Sequence, residues 1–255
     1  MYACSPHWPS DWISTELLSE ILQSIRPYIE PSFYGPNGIG LNEGLHFTGG
    51  EPFLRYELLC EAVRIANELG IPSLFVETNC FWCHDEATTY KKLKALKDLG
   101  LSGILISVNP FYLEHVPFER TLFAVKVARQ IFGPFAVVYQ LEYFRRFLKW
   151  GIKHTMPLEE YLEREKREES LGGVEFFMSG RAPYALRGRL GKQLAPFFPL
   201  TPADEVALQR CPVRFARPWH NHFDCYSNYV PGYCAGISYG DITVSYTHLT
   251  LPTKA

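Results

Sequence analysis

The sequence has no excess of charge of either sign and no long hydrophobic run. Its 255 residues carry 25 Lys and Arg against 27 Asp and Glu, a formal net charge of −2 at pH 7. A near-neutral chain lacks the basic surface on which nucleic-acid binding depends, so we expect no nucleic-acid partner. No apolar stretch approaches the ~20 residues that span a bilayer, so we also expect no membrane association.

Cysteine is sparse, and the number of cysteines is odd. The seven cysteines are spread over a long chain, which argues against a framework of disulfides and favours a reducing compartment. Residues 1–12 lack the basic and apolar regions of a secretory signal. The sequence therefore predicts a cytoplasmic protein whose thiols either bind a metal or stay inert.

Short apolar runs alternate with amphipathic stretches along the chain. The runs, which read as strands, are 44–47, 73–76, 103–108, 135–139 and 173–178. The amphipathic stretches read as five helices. The first begins after Ser14, and the others cover 57–69, 85–99, 119–132 and 159–169. Strands that alternate with helices in one sheet are parallel, with right-handed crossovers. The pattern predicts an α/β fold, either a full or partial barrel or a doubly wound sheet.

Each apolar run ends in a small group of polar residues or glycines. These groups are 48–52, 77–79, 107–110, 140–142 and 179–181. The carboxyl ends of parallel strands meet at one rim of a barrel, which is where such folds hold their active sites. Five polar groups at one rim therefore favour a barrel and predict a binding site there.

The segment Gly49-Gly50-Glu51-Pro52 is the most informative of these groups. Two glycines let the backbone approach a ligand with no Cβ in the way. Their N–H and C=O groups could hold an ammonium or a carboxylate. Glu51 could pair with a cation or hold the loop, and Pro52 restrains the chain as it leaves.

Residues 46–53, His-Phe-Thr-Gly-Gly-Glu-Pro-Phe, resemble the GGEP segment of radical S-adenosylmethionine (SAM) enzymes. The groups at 77–79, 107–109 and 179–181 are similar in order and spacing to the later strand-end segments of that family. The resemblance implies a partial (β/α)6 barrel in which the GGEP backbone holds the amino group of SAM. It implies that SAM is bound by Gly49, Gly50, Glu51, Pro52, Glu77, Asn79, Ser107, Asn109 and Arg181.

The resemblance also implies a reaction. In that family, SAM is cleaved reductively at a [4Fe-4S] cluster, and the resulting 5′-deoxyadenosyl radical takes a hydrogen atom from a substrate shielded within the barrel. The electron would come from a donor such as flavodoxin or ferredoxin. The substrate stays open between a small molecule, a peptide and another enzyme.

The sequence departs from the family at both ends. It has no CxxxCxxC motif for the cluster, and Met1 to Cys4 resemble the residues just after the third of those cysteines. We therefore expect the first strand and the cluster loop to be missing, and the chain as given to be inactive. Residues 242–255 resemble a translated sequencing-adapter tail, so we expect them to be non-native.

The expected organisation is a partial barrel over 1–200 that lacks its first strand, followed by a short irregular extension over 201–241 that is rich in cysteine, histidine and aromatic residues. Asp224 to Cys234 resemble the start of extensions that carry auxiliary iron–sulfur clusters in some members of the family. Cys211 and Cys234 are accordingly candidate metal ligands.

Cys80 and Cys83 form a CxxC motif at a strand end. They could be a redox pair, half of a zinc or iron–sulfur site with His84 adjacent, or packed thiols beside the cofactor pocket. Two functions of other classes also stay open: a non-catalytic barrel that binds a metal or a partner, and a hydrolase that uses Glu51 and Glu77 as an acid–base pair.

Overall fold

A four-stranded parallel sheet lies at the centre of the fold. The computed structural model describes residues 10–167, 202–207, 221–231, 238 and 240–242. The strands are β1 (Leu45–Phe47), β2 (Leu74–Thr78), β3 (Gly103–Ser107) and β4 (Ala136–Tyr139), in the order β1-β2-β3-β4. All three neighbouring pairs are parallel, which confirms the mixed α/β fold and the first four predicted strands.

The remaining parts of the fold prediction stay predictions. The fifth apolar run, 173–178, lies outside the described residues, and so does most of the extension over 201–241. Closure of the sheet into a partial barrel is therefore not decided. The described part of the extension includes an antiparallel pair, β5 (Asn221–Phe223) with β6 (Tyr229–Pro231).

Helices occupy the predicted amphipathic stretches, and the described residues contain three further helices that were not predicted. The helices are α1 (Thr15–Ile25), α2 (Tyr56–Glu68), α3 (Glu86–Asp98), α4 (Pro110–Leu113), α5 (Phe118–Phe132), α6 (Leu141–Lys149), α7 (Leu158–Arg167) and α8 (Ala203–Ala207), of which α4, α6 and α8 were not predicted. Ser14 begins α1 as predicted, since its hydroxyl accepts a hydrogen bond from the backbone N–H of Leu17 at 3.2 Å. None of the helices in the described ranges is long and apolar enough to cross a bilayer.

The two faces of the sheet differ in character. Successive side chains of a strand point to opposite faces. Val76 and Ile106 belong to the large core shared with the helices, whereas Phe75 and Leu105 pack with Ile39 in a second, smaller cluster. The helices cover one face. On the other face, polar residues follow Phe75 and Leu105 towards the carboxyl ends of the strands.

Candidate functional site

The polar groups that follow β1, β2 and β3 come together at one edge of the sheet, as predicted. The Thr48 hydroxyl donates a hydrogen bond to Oε2 of Glu77 at 3.1 Å, and the Ser107 hydroxyl donates to Oε1 of the same carboxylate. The strand register brings them together, because Phe47 lies opposite Val76 and Thr48 is the next residue along. Glu77 is half-buried and, among the described residues, has hydroxyl partners rather than an ion pair.

Glu51 is buried and holds the loop that carries the two glycines. Only 6% of the residue is exposed. Its carboxylate accepts hydrogen bonds from the Thr78 hydroxyl (2.8 Å), the Asn79 backbone N–H (2.8 Å) and the Phe53 backbone N–H (3.3 Å). Of the two roles that the sequence left open, the structure shows the second. A direct contact between Glu51 and SAM stays a prediction.

The environment of Glu51 changes its acidity. Burial raises the pKa of this carboxyl to about 7, and the nearby negative charge of Glu77 acts in the same direction. The hydrogen bonds from Asn79, Thr78 and Phe53 oppose the shift because they stabilise the ionised form. The group that fastens the glycine turn therefore titrates near neutral pH.

The glycine turn itself is open to solvent. Gly49 has φ of +127°, a conformation that residues with a side chain rarely adopt, whereas Gly50 is not in the positive-φ region. A Cβ added at either position would meet no atom within 4 Å. Neither packing nor backbone conformation requires glycine at position 50, so the free space above it is available to a ligand.

The two asparagines of the rim stabilise turns. The side-chain oxygen of Asn79 accepts from the Phe81 backbone N–H at 3.0 Å. That of Asn109 accepts from the Tyr112 backbone N–H at 3.0 Å and begins α4. Each amide oxygen is thus engaged within the protein, and the contribution of either side chain to SAM binding stays a prediction.

A small cleft lies between the ends of β2 and β3. Asn79, Ser107, Asn109 and Tyr112 line its polar part, and its volume of about 10 Å³ suits a single water molecule. The cleft is therefore too small to hold a ligand the size of SAM.

Tyr112 was not predicted to belong to the site. It lines the cleft, and burial, together with the negative charges of Glu77 and Glu51, raises the pKa of its hydroxyl. The sequence signal that could have indicated Tyr112 is Asn109-Pro110. This pair is typical of the beginning of a helix, and it begins α4 directly after β3.

The cysteine pair lies beneath the same rim. Cys80 and Cys83 are free thiols, and both are 0% exposed. The described ranges contain no group of three or more His, Cys, Asp or Glu side chains that could hold a metal ion. Metal binding by Cys80 and Cys83 therefore stays a prediction. Arg181, Cys211 and Cys234 lie outside the described residues.

The resemblance implies two bound groups, SAM and a [4Fe-4S] cluster, and the described residues fit SAM better than the cluster. An exposed glycine turn suits the ammonium and carboxylate groups at the amino acid end of SAM, and a neighbouring carboxylate suits the positive charge of its sulfonium. The residues that the structure describes provide no set of three ligands for an iron–sulfur cluster. No protein-family model matches the sequence, and a search of the curated proteins finds no match.

Proposed function

We propose that this chain forms the SAM-binding part of a radical SAM enzyme. The observation that carries the proposal is the exposed Gly49-Gly50 turn, which buried Glu51 fastens against the end of β2 beside the Glu77 carboxylate. The resemblance of residues 46–53 supports the same conclusion independently of the geometry. We assign no step to an iron–sulfur cluster, because the described residues do not hold three ligands for one.

Each part of the turn has a role in binding. Gly49 and Gly50 are exposed, and their backbone carbonyls would accept hydrogen bonds from the ammonium group of SAM. Glu77 is held by Thr48 and Ser107, and its negative charge would attract the cationic ligand at a partly desolvated rim. When bound and reduced by one electron from an external donor, SAM would supply the hydrogen-abstracting chemistry, and this chain would position it against a substrate.

Binding of SAM to the reduced full chain, measured by isothermal titration calorimetry, tests the proposal. We expect SAM to bind more tightly than S-adenosylhomocysteine, which lacks the sulfonium charge. Glu77→Gln should lower the affinity about tenfold, which corresponds to about 1.4 kcal/mol. The matched control is Glu61→Gln, because Glu61 lies on α2 in a surface ion pair with Arg64.

Absence of SAM binding by the folded, reduced chain would overturn the proposal. Equal affinity of the Glu77→Gln variant and the unchanged chain would overturn the role of Glu77. Circular dichroism on every variant separates a loss of binding from a loss of fold.

The hydrolase hypothesis fits the geometry less well. A pKa of about 7 for Glu51 beside Glu77 has the form of an acid–base pair. However, both Glu51 oxygens accept hydrogen bonds from the protein's own Thr78, Asn79 and Phe53. A carboxyl that is engaged in this way holds the loop, and with only 6% of the residue exposed it offers a substrate little access.

A further inference from the structure

The Cys80-Phe81-Trp82-Cys83 segment is a tight turn whose ends are close together. The backbone N–H of Cys83 donates to the carbonyl of Cys80 at 3.0 Å, which defines a β-turn. The Cα atoms at the ends of such a turn lie within about 7 Å, close to the ~4.4–6.8 Å that a disulfide spans. Both cysteines are free, and the Cys83 side chain is close enough to Cys80 to contribute to the raised pKa of its thiol.

This turn is joined to the glycine turn through one hydroxyl. Thr78 Oγ1 accepts hydrogen bonds from the Cys80 backbone N–H at 3.1 Å and from the Trp82 indole N–H at 3.0 Å. The same hydroxyl donates to Glu51 at 2.8 Å. Trp82 also stacks on Phe53, two residues after Glu51, with ring centroids 4.0 Å apart. A shift of the cysteine turn would therefore be transmitted to the loop that presents Gly49 and Gly50.

We propose that Cys80 and Cys83 are a redox-sensitive dithiol, which a hydroperoxide oxidises to an intramolecular disulfide that weakens ligand binding at the glycine turn. One thiolate attacks the peroxide, giving a sulfenic acid and, after protonation, water. The second thiol displaces the sulfenic hydroxyl as a second water, and the S–S bond forms. Two thiols are oxidised by two electrons, and one hydrogen peroxide is reduced to two waters.

Formation of this bond requires the turn to change shape. The sulfurs must approach to about 2.05 Å with a defined torsion, well inside hydrogen-bonding distance. Cys80 already has φ of +67°, an unfavourable conformation for a residue with a side chain. Trp82 lies between the two cysteines, so rearrangement of the turn alters its stacking on Phe53 and its hydrogen bond to Thr78.

Burial sets the rate of the reaction. Both thiols are 0% exposed, and burial raises the pKa of Cys80, so oxidation needs a transient opening of the turn. A ligand that fastens the glycine turn would make this opening rarer. We therefore expect slow oxidation in the free protein and slower oxidation when SAM is bound.

Peptide mass spectrometry tests the disulfide directly. The reduced full chain is treated with hydrogen peroxide, alkylated and cleaved with trypsin; the peptide 65–91 contains Cys80 and Cys83 and no other cysteine. We expect this peptide to lose two hydrogen atoms and to escape alkylation, and dithiothreitol should reverse both changes. Cys80→Ser and Cys83→Ser should each abolish the loss, whereas Cys60→Ser, on α2, should not.

The effect on SAM rests on the proposed function and is measured separately. Oxidised protein should bind SAM at least tenfold more weakly than reduced protein, and the Cys83→Ser variant should bind it equally before and after peroxide. Failure of the reduced protein to bind SAM would overturn the proposed function and leave the peptide result standing. Oxidation that does not form the Cys80–Cys83 disulfide, or a disulfide that leaves SAM affinity unchanged, would overturn the proposed redox control of ligand binding.

Discussion

The Thr78 hydroxyl donates a 2.8 Å hydrogen bond to the carboxylate of Glu51, 27 residues earlier in the chain. This bond joins the end of β2 to the turn that follows β1. Its acceptor is buried, and its donor oxygen also accepts from Cys80 and Trp82. Thr78 is therefore the point at which the strand end, the glycine turn and the cysteine turn meet.

Replacing Thr78 by valine should destabilise the fold. The change keeps the shape and removes the hydroxyl, so the Trp82 indole N–H and the Cys80 backbone N–H lose an acceptor in a buried region. Each buried polar group left without a partner costs about 1–3 kcal/mol, so we expect a loss of about 2–4 kcal/mol in the free energy of unfolding. Urea denaturation measures it.

Thr78→Ser is the matched control, since it keeps the hydroxyl and loses one methyl group. It should retain most of the stability that Thr78→Val loses. Equal losses in the two variants would show that packing rather than hydrogen bonding at Thr78 holds the turns.

The acidity of Glu51 predicts a pH-dependent stability. Its folded-state pKa is raised from 4.5 to about 7, so the folded state binds the proton more tightly than the unfolded chain does. The stabilisation by the protonated form is complete below pH ~4.5 and is lost as pH rises towards 7. At about 1.4 kcal/mol per pKa unit, the change is about 3 kcal/mol.

Paired urea titrations at pH 5 and pH 7.5 measure this effect. The difference in unfolding free energy between the unchanged chain and Glu51→Gln should shrink at the higher pH, because glutamine does not titrate. Glu61→Gln, at an exposed site where an Arg64 hydrogen bond lowers the carboxylate pKa, should not produce this decrease. A difference that does not vary with pH would contradict the assignment of the titration to Glu51.

The two glycines should respond differently to alanine. Gly49→Ala places a Cβ at φ +127°, so it should cost about 1–3 kcal/mol of stability. Gly50→Ala meets neither strain nor contact, so the fold should be unaffected. SAM affinity should nevertheless fall for Gly50→Ala, because the added methyl group occupies the space left for the ligand. Calorimetric binding and thermal unfolding on the same samples separate the two effects.

A buried ion pair between α6 and α7 should be the most sensitive charged contact in the described structure. Arg146 pairs with Glu165, which is 0% exposed and also accepts from the Tyr161 hydroxyl at 3.2 Å. Arg146→Met leaves a buried carboxylate without its cation, at a cost of about 3–5 kcal/mol. Lys126→Met breaks a half-exposed pair with Glu86 and should cost less than about 1 kcal/mol.

Chemical denaturation of both variants provides the comparison. A loss for Arg146→Met no larger than that for Lys126→Met would show that Glu165 gains solvent or another partner once the arginine is removed.

The alternation of apolar runs and amphipathic stretches was sufficient to predict the first four strands and the helices α1, α2, α3, α5 and α7, but not α6, which begins at Leu141 directly after β4. This local pattern is strong because buried parallel strands need apolar side chains on both faces, and each helix needs one apolar stripe. The glycines after α2 and α3 were equally readable: Gly70 and Gly100 have φ of +69° and +112° and end their helices as expected.

The roles of the polar residues were harder to predict from the sequence. Glu51 was compatible with pairing to a cation or with holding the loop, and local sequence carries no signal that separates them. Only the lateral pairing of β1 with β2 brings Thr78 and Asn79 to its carboxylate. Tyr112 had a local signal in Asn109-Pro110, which marks the beginning of α4, but only the tertiary structure places its side chain in the cleft.

The sequence alone therefore determined the α/β fold and the gathering of the polar groups after β1, β2 and β3 at one edge, because both depend on periodicity and chain order. The tertiary structure decided which of those groups face outward and which hold the loops. Glu51 is buried and bonded within the protein, whereas Gly49 and Gly50 remain open. The physical reason is that hydrogen-bond partners 27 residues apart in sequence, such as Glu51 and Thr78, become neighbours only when the strands pair.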